Sequence, residues 1–363
     1  MPDDGCAQRA RLIPNMAAAR SSGRRPRALR VVAAVIRRED GEILLSRRPI
    51  RADQGGLWEF PGGKLEPRER PIAGLSRELE EELGINIVAV TPLIRVMHRY
   101  PGQTVALAVF EVDTWRGEPH GREGQRVEWL RPSELATRIL PAANLPVRVA
   151  LGLPRVVMVT PDLEGSEALF LRRLEHCLAA GVELVQLRIR ATGARRARVA
   201  RQALATCDRH GARLMLNGVP DDVIAVGAHG LHLNAERLMQ YATRPLEASL
   251  LLSAACHNRS ELRQAERIGV DFVYLSPVNP TLSHAGATLL GWDGLRALVR
   301  AARVPAFALG GMQPRDLRRA LRAGCQGIAM LSALWRSDDP AAQMTMSKRA
   351  QHAAAYQVGE RKT

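Results

Sequence analysis

The stretch Gly62–Ile85, GGKLEPRERPIAGLSRELEEELGI, decides how the first half of the chain is read. Pro71 suits a first helical turn and Gly84 a C-terminal stop, so the spacing predicts one helix over 71–83. Ile72, Leu75, Leu79 and Leu83 repeat at three- and four-residue steps and form its buried stripe. Glu78, Glu81 and Glu82 stand at i, i+3 and i+4, which puts their carboxylates on a second stripe beside the apolar one. Clustered carboxylates repel one another unless a cation sits among them, and oxygen-only ligands favour Mg²⁺ or Mn²⁺ over zinc. Taken alone, the three glutamates also fit a solvated helix face.

Outward from the helix, Pro61-Gly62-Gly63 is a loop whose missing Cβ atoms let a backbone carbonyl approach a cation. Upstream, 31–36 reads as a buried strand, Asp40-Gly41 as a hairpin turn and 43–46 as the returning strand. Downstream, 87–90, 93–100, 105–112 and 127–130 are expected as strands and 132–139 as a second helix. A mixed sheet between helices is the economical packing of these elements. From Pro154 the texture changes. Apolar runs at 156–160, 184–188, 214–217, 230–233, 250–255, 272–277, 306–311 and 327–332 alternate with helix-like segments, the pattern of a compact (β/α)₈ TIM barrel. Functional groups then belong just after each strand.

The expected division is a basic disordered tail over 1–28, one domain over 29–150, the barrel over 154–336 and a flexible tail over 337–363. Met16 offers an alternative start. No apolar run approaches the ~20 residues of a membrane span, and the N-terminus lacks an apolar h-region. The formal charge of +15 suits polyanions, but Lys occurs only at 64, 348 and 362 and aromatics are few. The arginine excess reads as coding bias rather than as a nucleic-acid surface. Cys6, Cys177, Cys207, Cys256 and Cys325 form no C-x-x-C pair, which argues for a reducing, cytoplasmic setting without a disulfide framework or zinc site.

Gly63, Glu69, Arg77, Glu78, Leu79, Glu81, Glu82, Gly84 and Ile85 match the Nudix box, so this half resembles the Nudix hydrolases and their α/β/α sandwich. Trp58-Glu59-Phe60-Pro61, Trp115–Pro119 and Gly121–Gln125 look like the MutT-type branch. The resemblance implies Mg²⁺-dependent hydrolysis of a nucleoside triphosphate, with 8-oxo-dGTP giving 8-oxo-dGMP and pyrophosphate in nucleotide-pool sanitation. It implies metal ligands at Glu78, Glu81 and Glu82 with the Gly62 carbonyl, a brace of Glu69 and Arg77, and Glu123 as water-activating base or further ligand. Lys64 is expected on the phosphates. Phe60, Asn144 and Arg48 are expected around the purine, the Asn amide both donating and accepting. Gln103 departs from the Arg that MutT-type enzymes often carry there. Another Nudix substrate, such as a dinucleoside polyphosphate or nucleotide sugar, is the alternative.

Residues 185–188, 230–233, 276–281, 309–312 and 327–332 resemble the thiamine-phosphate synthase/TenI family. Gly310-Gly311 and Leu331-Ser332, after the seventh and eighth strands, are expected to hold a phosphate on backbone amides. The residues that hold Mg²⁺ in the synthases are replaced: Asn217-Gly218 stands where the family reads Asn-Asp, and Arg237 where an acidic residue follows the fourth strand. Glu236 is a shifted alternative ligand. His284 stands at the position of an expected lysine, and Ala255 where the family has Ser. His257 reads either as an acid–base group or as a packing residue at a strand end. A barrel that binds a phosphorylated small molecule without synthase activity is expected, against a synthase or thiazole tautomerase.

Overall fold

The computed structural model describes residues 28–51, 54–163, 165–281 and 288–358. Residues 1–27, with Met16, and His284 lie outside these. The first domain contains β1 (Leu29–Ile36), β2 (Ile43–Arg47), β3 (Trp58–Glu59), α1 (Pro71–Leu83), β4 (Asn86–Tyr100), β5 (Gln103–Arg116), β6 (Val127–Leu130) and α2 (Leu145–Leu151). β1 runs parallel to β5, β4 antiparallel to β5, and β3-β2-β6 form a second small sheet. β1 is buried on both faces. Val32, Ala34 and Ile36 pack with Leu75, Leu79 and Leu83 of α1, while Ala33 and Val35 pack with Val147 and Ala150 of α2. Its continuous apolar run is what a strand covered on both faces requires.

Three of the expectations are corrected here. Residues 87–100 form one strand rather than two, because bulges between Ile87 and Ala89, Ala89 and Val90, and Pro92 and Ile94 carry β4 past Pro92. Pro132–Thr137 is a 3-10 turn rather than a longer helix; the helix that covers this face is α2, begun by Leu145-Pro146.

The barrel follows with β7 (Val156–Val159), α3 (Glu167–Ala179), β8 (Leu184–Leu187), α4 (Gly193–Arg209), β9 (Arg213–Asn217), α5 (Pro220–Val226), β10 (Gly230–Leu233), α6 (Ala235–Leu238), β11 (Leu251–Cys256) and α7 (Arg259–Arg267). It ends with β12 (Phe272–Leu275), α8 (Gly291–Val299), β13 (Ala306–Leu309), α9 (Leu317–Ala323), β14 (Gly327–Met330) and α10 (Ser332–Trp335). Its eight strands close in parallel. Val157, Val159, Leu184, Met215, Phe272, Tyr274 and Phe307 fill the interior, and Leu153 from the short linker packs with them.

The third correction concerns the expected flexible tail. Asp339 caps α11 (Pro340–His352) by accepting from the Ala342 amide, with Pro340 in the first turn. The chain then adds β15 (Tyr356–Gln357) antiparallel to β4, at the edge of the first domain's sheet. The barrel presents its strand N-termini to the first domain. Arg155, before β7, ion-pairs with Glu111 and donates to the Leu93 and Gln326 carbonyls. The Arg95 amide donates to Gly324 and the Met97 amide to Ala302. Gln326 donates to the carbonyls of Ala150 and Leu153.

Candidate active site

The loop before α1 lies against β1: the Val32 amide donates to the Gly63 carbonyl and the Ala34 amide to Pro61. Gly62, at φ +138°, leaves no room for a side chain, since a Cβ there would lie 2.3 Å from the Val32 oxygen. Its amide instead donates to Glu82 Oε2 at 3.2 Å. A Cβ on Gly63 would lie 2.2 Å from Glu78 Oε2, so this glycine lets the Glu78 carboxylate rest on the loop.

Arg77 closes the loop on the helix. Its guanidinium donates to both Glu69 oxygens at 3.1 Å and to the Lys64 carbonyl at 3.2 Å. Glu69 also accepts from the Glu66 amide, and Arg77 first of all holds its carboxyl below the usual range. Arg77 Nη1 further reaches Glu78 Oε1 and Glu81 Oε2, each at 3.0 Å.

The far end of α1 is held by the loop 120–125. The His120 amide donates to Leu83, the Arg122 amide to Glu82 and the Gln125 side chain to Glu82, all at backbone carbonyls. The Arg122 guanidinium takes the Glu80 carbonyl. The last-turn carbonyls of a helix have no partner within it, so these contacts fix the loop that carries Glu123. Gln125 Oε1 in turn accepts from the Glu123 amide. Arg77, Glu81, Arg122 and Glu123 line one open depression of about 570 Å³.

Burial pushes the Glu82 carboxyl up to about 8; repulsion from Glu59, Glu78 and Glu123 adds to it and the Gly62 amide opposes it. Glu78 and Glu59 are also raised, chiefly by burial, with Arg77 and Arg48 respectively opposing the shift. Four carboxylates thus bear on one half-buried position, which a divalent cation with oxygen ligands would neutralise. Among the described residues, however, no three His, Cys, Asp or Glu side chains converge on a metal-binding point. The expected set of Gly62, Glu78, Glu81 and Glu82 is therefore brought to one face but not to one point: Arg77 sits between Glu78 and Glu81, and Glu81 is 54% exposed. The donor chemistry fits Mg²⁺, and closing the set requires Arg77 to release two glutamates while keeping Glu69.

Around the expected base pocket, Phe60 is 2% exposed and belongs to the core beneath β2. Its amide donates to Asn144 Oδ1 at 3.2 Å, and Asn144 is itself 8% exposed. One lone pair of the Asn144 oxygen is thereby engaged, which orients the amide. Arg48 pairs with Glu59 at 2.5 Å. The Lys64 ammonium is exposed on the loop. Glu59, which repels the Glu82 carboxyl, and Gln125, which holds the Glu123 loop to α1, had no role in the sequence reading, although both fall within motifs it singled out.

In the barrel, Gly310 at φ +100° and Gly311 at φ +62° pack against Pro277 and Asn279-Pro280, where side chains would clash. Leu331 and Ser332 follow β14, at the same end. A Cβ on Gly218 would lie 2.4 Å from Arg196 Nη2 and 2.8 Å from Asp222 Oδ2. Arg196 pairs with Asp222 at 3.2 Å and donates to the Asn217 carbonyl. The space beyond Gly218 thus holds a guanidinium where the family's metal-binding aspartate is expected. Asn234 caps α6 by accepting from the Arg237 amide. His257 Nδ1 lies 2.6 Å from the Ser276 carbonyl, the packing alternative for this residue. Inside, His232 Nδ1 meets Ser253 Oγ at 2.9 Å, and buried Gln186 Oε1 and the Tyr274 hydroxyl have no hydrogen-bond partner among the described residues. The reading of these strands as apolar runs gave no sign of these buried polar groups.

A glutamate-bearing helix clasped between a glycine loop and a distal loop, on a mixed sheet joined to a closed parallel barrel, defines a hydrolase domain fused to a barrel domain of the synthase type. Family models agree: residues 32–148 match the NUDIX domain and residues 156–334 match thiamine monophosphate synthase. The chain belongs to the Nudix family in its first half and to the thiamine monophosphate synthase family in its second. The 8-oxo-dGTP diphosphatase of Escherichia coli is 37% identical over 119 residues, 33% of this chain and 92% of that one. The CTP pyrophosphohydrolase of Escherichia coli is 40% identical over 119 residues, 33% and 87% of the two chains. A relative of the thiamine-phosphate synthases from Geobacter sulfurreducens is 38% identical over 170 residues, 46% and 80% of the two chains. A longer synthase is spanned over about half of its length, 51%.

Proposed function

We propose that the first domain hydrolyses a nucleoside triphosphate to the monophosphate and pyrophosphate with Mg²⁺, 8-oxo-dGTP being the favoured substrate. The observation that carries this reading is the Glu82 carboxyl, held by the Gly62 amide and displaced upward by burial and its acidic neighbours. Glu78, Glu81 and Glu82 with the Gly62 carbonyl would hold the cation, which when bound supplies Lewis-acid polarisation of a phosphoryl oxygen. Lys64 contributes a point charge toward the phosphates. Glu123, on its pinned loop, accepts the proton of the attacking water. Glu69 and Arg77 position the loop against the helix, and Asn144, Phe60 and Arg48 shape the base site.

A second reading is favoured by one feature. The Phe60 amide fixes the Asn144 side chain by one bond to its oxygen, so its NH₂ and the remaining lone pair can meet a cytosine edge as well as the 8-oxoguanine ring. Similarity to a CTP pyrophosphohydrolase supports the same alternative. Pyrophosphate release by the full chain from 8-oxo-dGTP, dGTP, dCTP and CTP tests both. A higher kcat/KM for CTP selects the second reading, and no release from any of them refutes the hydrolase.

The barrel, in this proposal, binds a phosphorylated small molecule at Gly310-Gly311 and Leu331-Ser332 without forming thiamine phosphate. Gly218 and Arg237 cannot supply the carboxylates that neutralise a pyrophosphate leaving group. Calorimetry with thiazole phosphate, beside a synthase assay on the full chain, tests binding and turnover separately. Thiamine phosphate formed at about 1 s⁻¹ or faster refutes the inactive-synthase reading.

A further inference from the structure

Between the two halves lies a cavity of about 410 Å³ that neither proposed site uses, within the ~300–1,000 Å³ range of small-molecule pockets. Ile72, Ile94 and Phe110 contribute apolar walls from the first domain, and Arg70, Arg95 and Arg322 line the same space; no carboxylate does. Among the described residues neither the Arg70 nor the Arg95 guanidinium has an ion-pair or hydrogen-bond partner. Arg322 lies over the Tyr356 ring at 5.0 Å and donates to the Ala353 carbonyl at 3.3 Å, which holds it at the cavity from the barrel side without neutralising its charge. The first turn of α1 forms part of the wall, without a side-chain cap and without an acidic residue. Uncompensated guanidiniums beside free helix amides attract a multivalent anion, and the apolar walls favour a ring attached to it.

We infer that this seam binds a small aryl or heteroaryl phosphate, its ring between the Ile94 and Phe110 walls and its phosphate among Arg70, Arg95 and Arg322. The cavity shares no lining residue with the nucleotide or barrel sites, so variants of its own lining distinguish binding here from binding at either. Titration of the full chain with 1-naphthyl phosphate, followed by calorimetry, is expected to show one saturable site at least tenfold tighter than either inorganic phosphate or 1-naphthol. The surface variants Arg95→Met and Arg322→Met should each weaken it at least tenfold, and Ala73→Trp, which fills the cavity from an exposed lining position, should abolish it. Circular dichroism identifies any variant that fails to fold, and the remaining variants then decide. Unchanged affinity in the folded variants places the ligand elsewhere and overturns the inference. Equal affinity for 1-naphthol, or no binding at all, overturns it as well.

Discussion

Replacing Gly62 and Gly63 separately by alanine should divide stability from catalysis at adjacent positions. At Gly62 the new Cβ would lie 2.3 Å from the Val32 oxygen and 2.8 Å from the Ala33 Cα, both backbone atoms of β1, at a φ of +138°. Neither neighbour can turn aside. A strained φ costs about 1–3 kcal/mol and overpacking about 1–3 kcal/mol more, so Gly62→Ala should lose about 3 kcal/mol or more. At Gly63 the collision is with the end of a side chain, Glu78 Oε2 at 2.2 Å and its Cδ at 2.4 Å. Glu78 can swing away, giving up a partly exposed contact with Arg77 worth about 1 kcal/mol or less. The displaced carboxylate no longer serves the phosphate chemistry, and loss of one positioned electrostatic group lowers kcat roughly 100-fold. Urea unfolding and pyrophosphate release at limiting Mg²⁺ read the two effects. Wild-type turnover in Gly63→Ala, or a wild-type urea midpoint in Gly62→Ala, would refute this account of the loop.

Glu82→Gln should lower kcat by more than about 100-fold with little change in circular dichroism; near-normal turnover at limiting Mg²⁺ would remove Glu82 from the metal set. Asn144→Ala should narrow the preference for 8-oxo-dGTP over dGTP by roughly 1–3 kcal/mol, read as the ratio of kcat/KM values, and an unchanged ratio places base recognition elsewhere. Gln326→Leu strips the carbonyls of Ala150 and Leu153 of a buried donor, and should destabilise by about 1–3 kcal/mol in urea titration. His232 is buried neutral, its pKa lowered from 6.5 to about 3 by burial first and then by Arg188. The unfolded chain therefore binds a proton that the folded chain refuses between those values: the contribution is absent above pH 6.5 and grows as pH falls. At pH 5 it should cost about 2 kcal/mol, and His232→Phe should reduce the loss of stability between pH 7 and pH 5 relative to wild type.

What the sequence made legible follows from where local rules govern. The bounds of α1 are those its proline, glycine and apolar stripe predict, because each acts within one turn. The barrel strands fall within their apolar runs, except that β9 begins one residue earlier at Arg213 and β11 ends one later at Cys256, since a strand covered on both sides is mostly apolar. β4 was misread as two strands because Pro92 signals a break, while the bulges that accommodate it depend on the partner strand. The tail was misread because α11 is weakly amphipathic, and its packing is supplied by α3, α9 and α10 from elsewhere in the chain. At the site, residue types were legible but pairings were not. The i, i+4 spacing of Arg77 and Glu81 allowed that pair, but nothing in the spacing told that Arg77 also holds Glu78 and Glu69 at once, or that Asn144 is engaged by Phe60.

The manner of joining restricts how the two halves can influence each other. Arg155, Gln326, Gly324 and Ala302, which meet the first domain, all precede barrel strands, whereas Gly310-Gly311 and Leu331-Ser332 follow them. The expected phosphate site therefore opens at the barrel end away from the hydrolase, and direct passage of a product between the sites has no route through the packed interior of Phe272, Tyr274 and Phe307. A mechanical link does exist. β15 arrives after the whole barrel and pairs with β4, whose edge would otherwise offer unpaired amides and carbonyls to other chains. The sheet that supports α1 is thus completed by residues at the opposite end of the sequence, and cutting the chain at the 152–155 linker would leave that edge open. The physical links between the barrel and the sheet beneath the glutamate helix are therefore this strand, the Arg155–Glu111 pair and the backbone bonds of β4 to Gly324 and Ala302, which are packing contacts and not a shared substrate path.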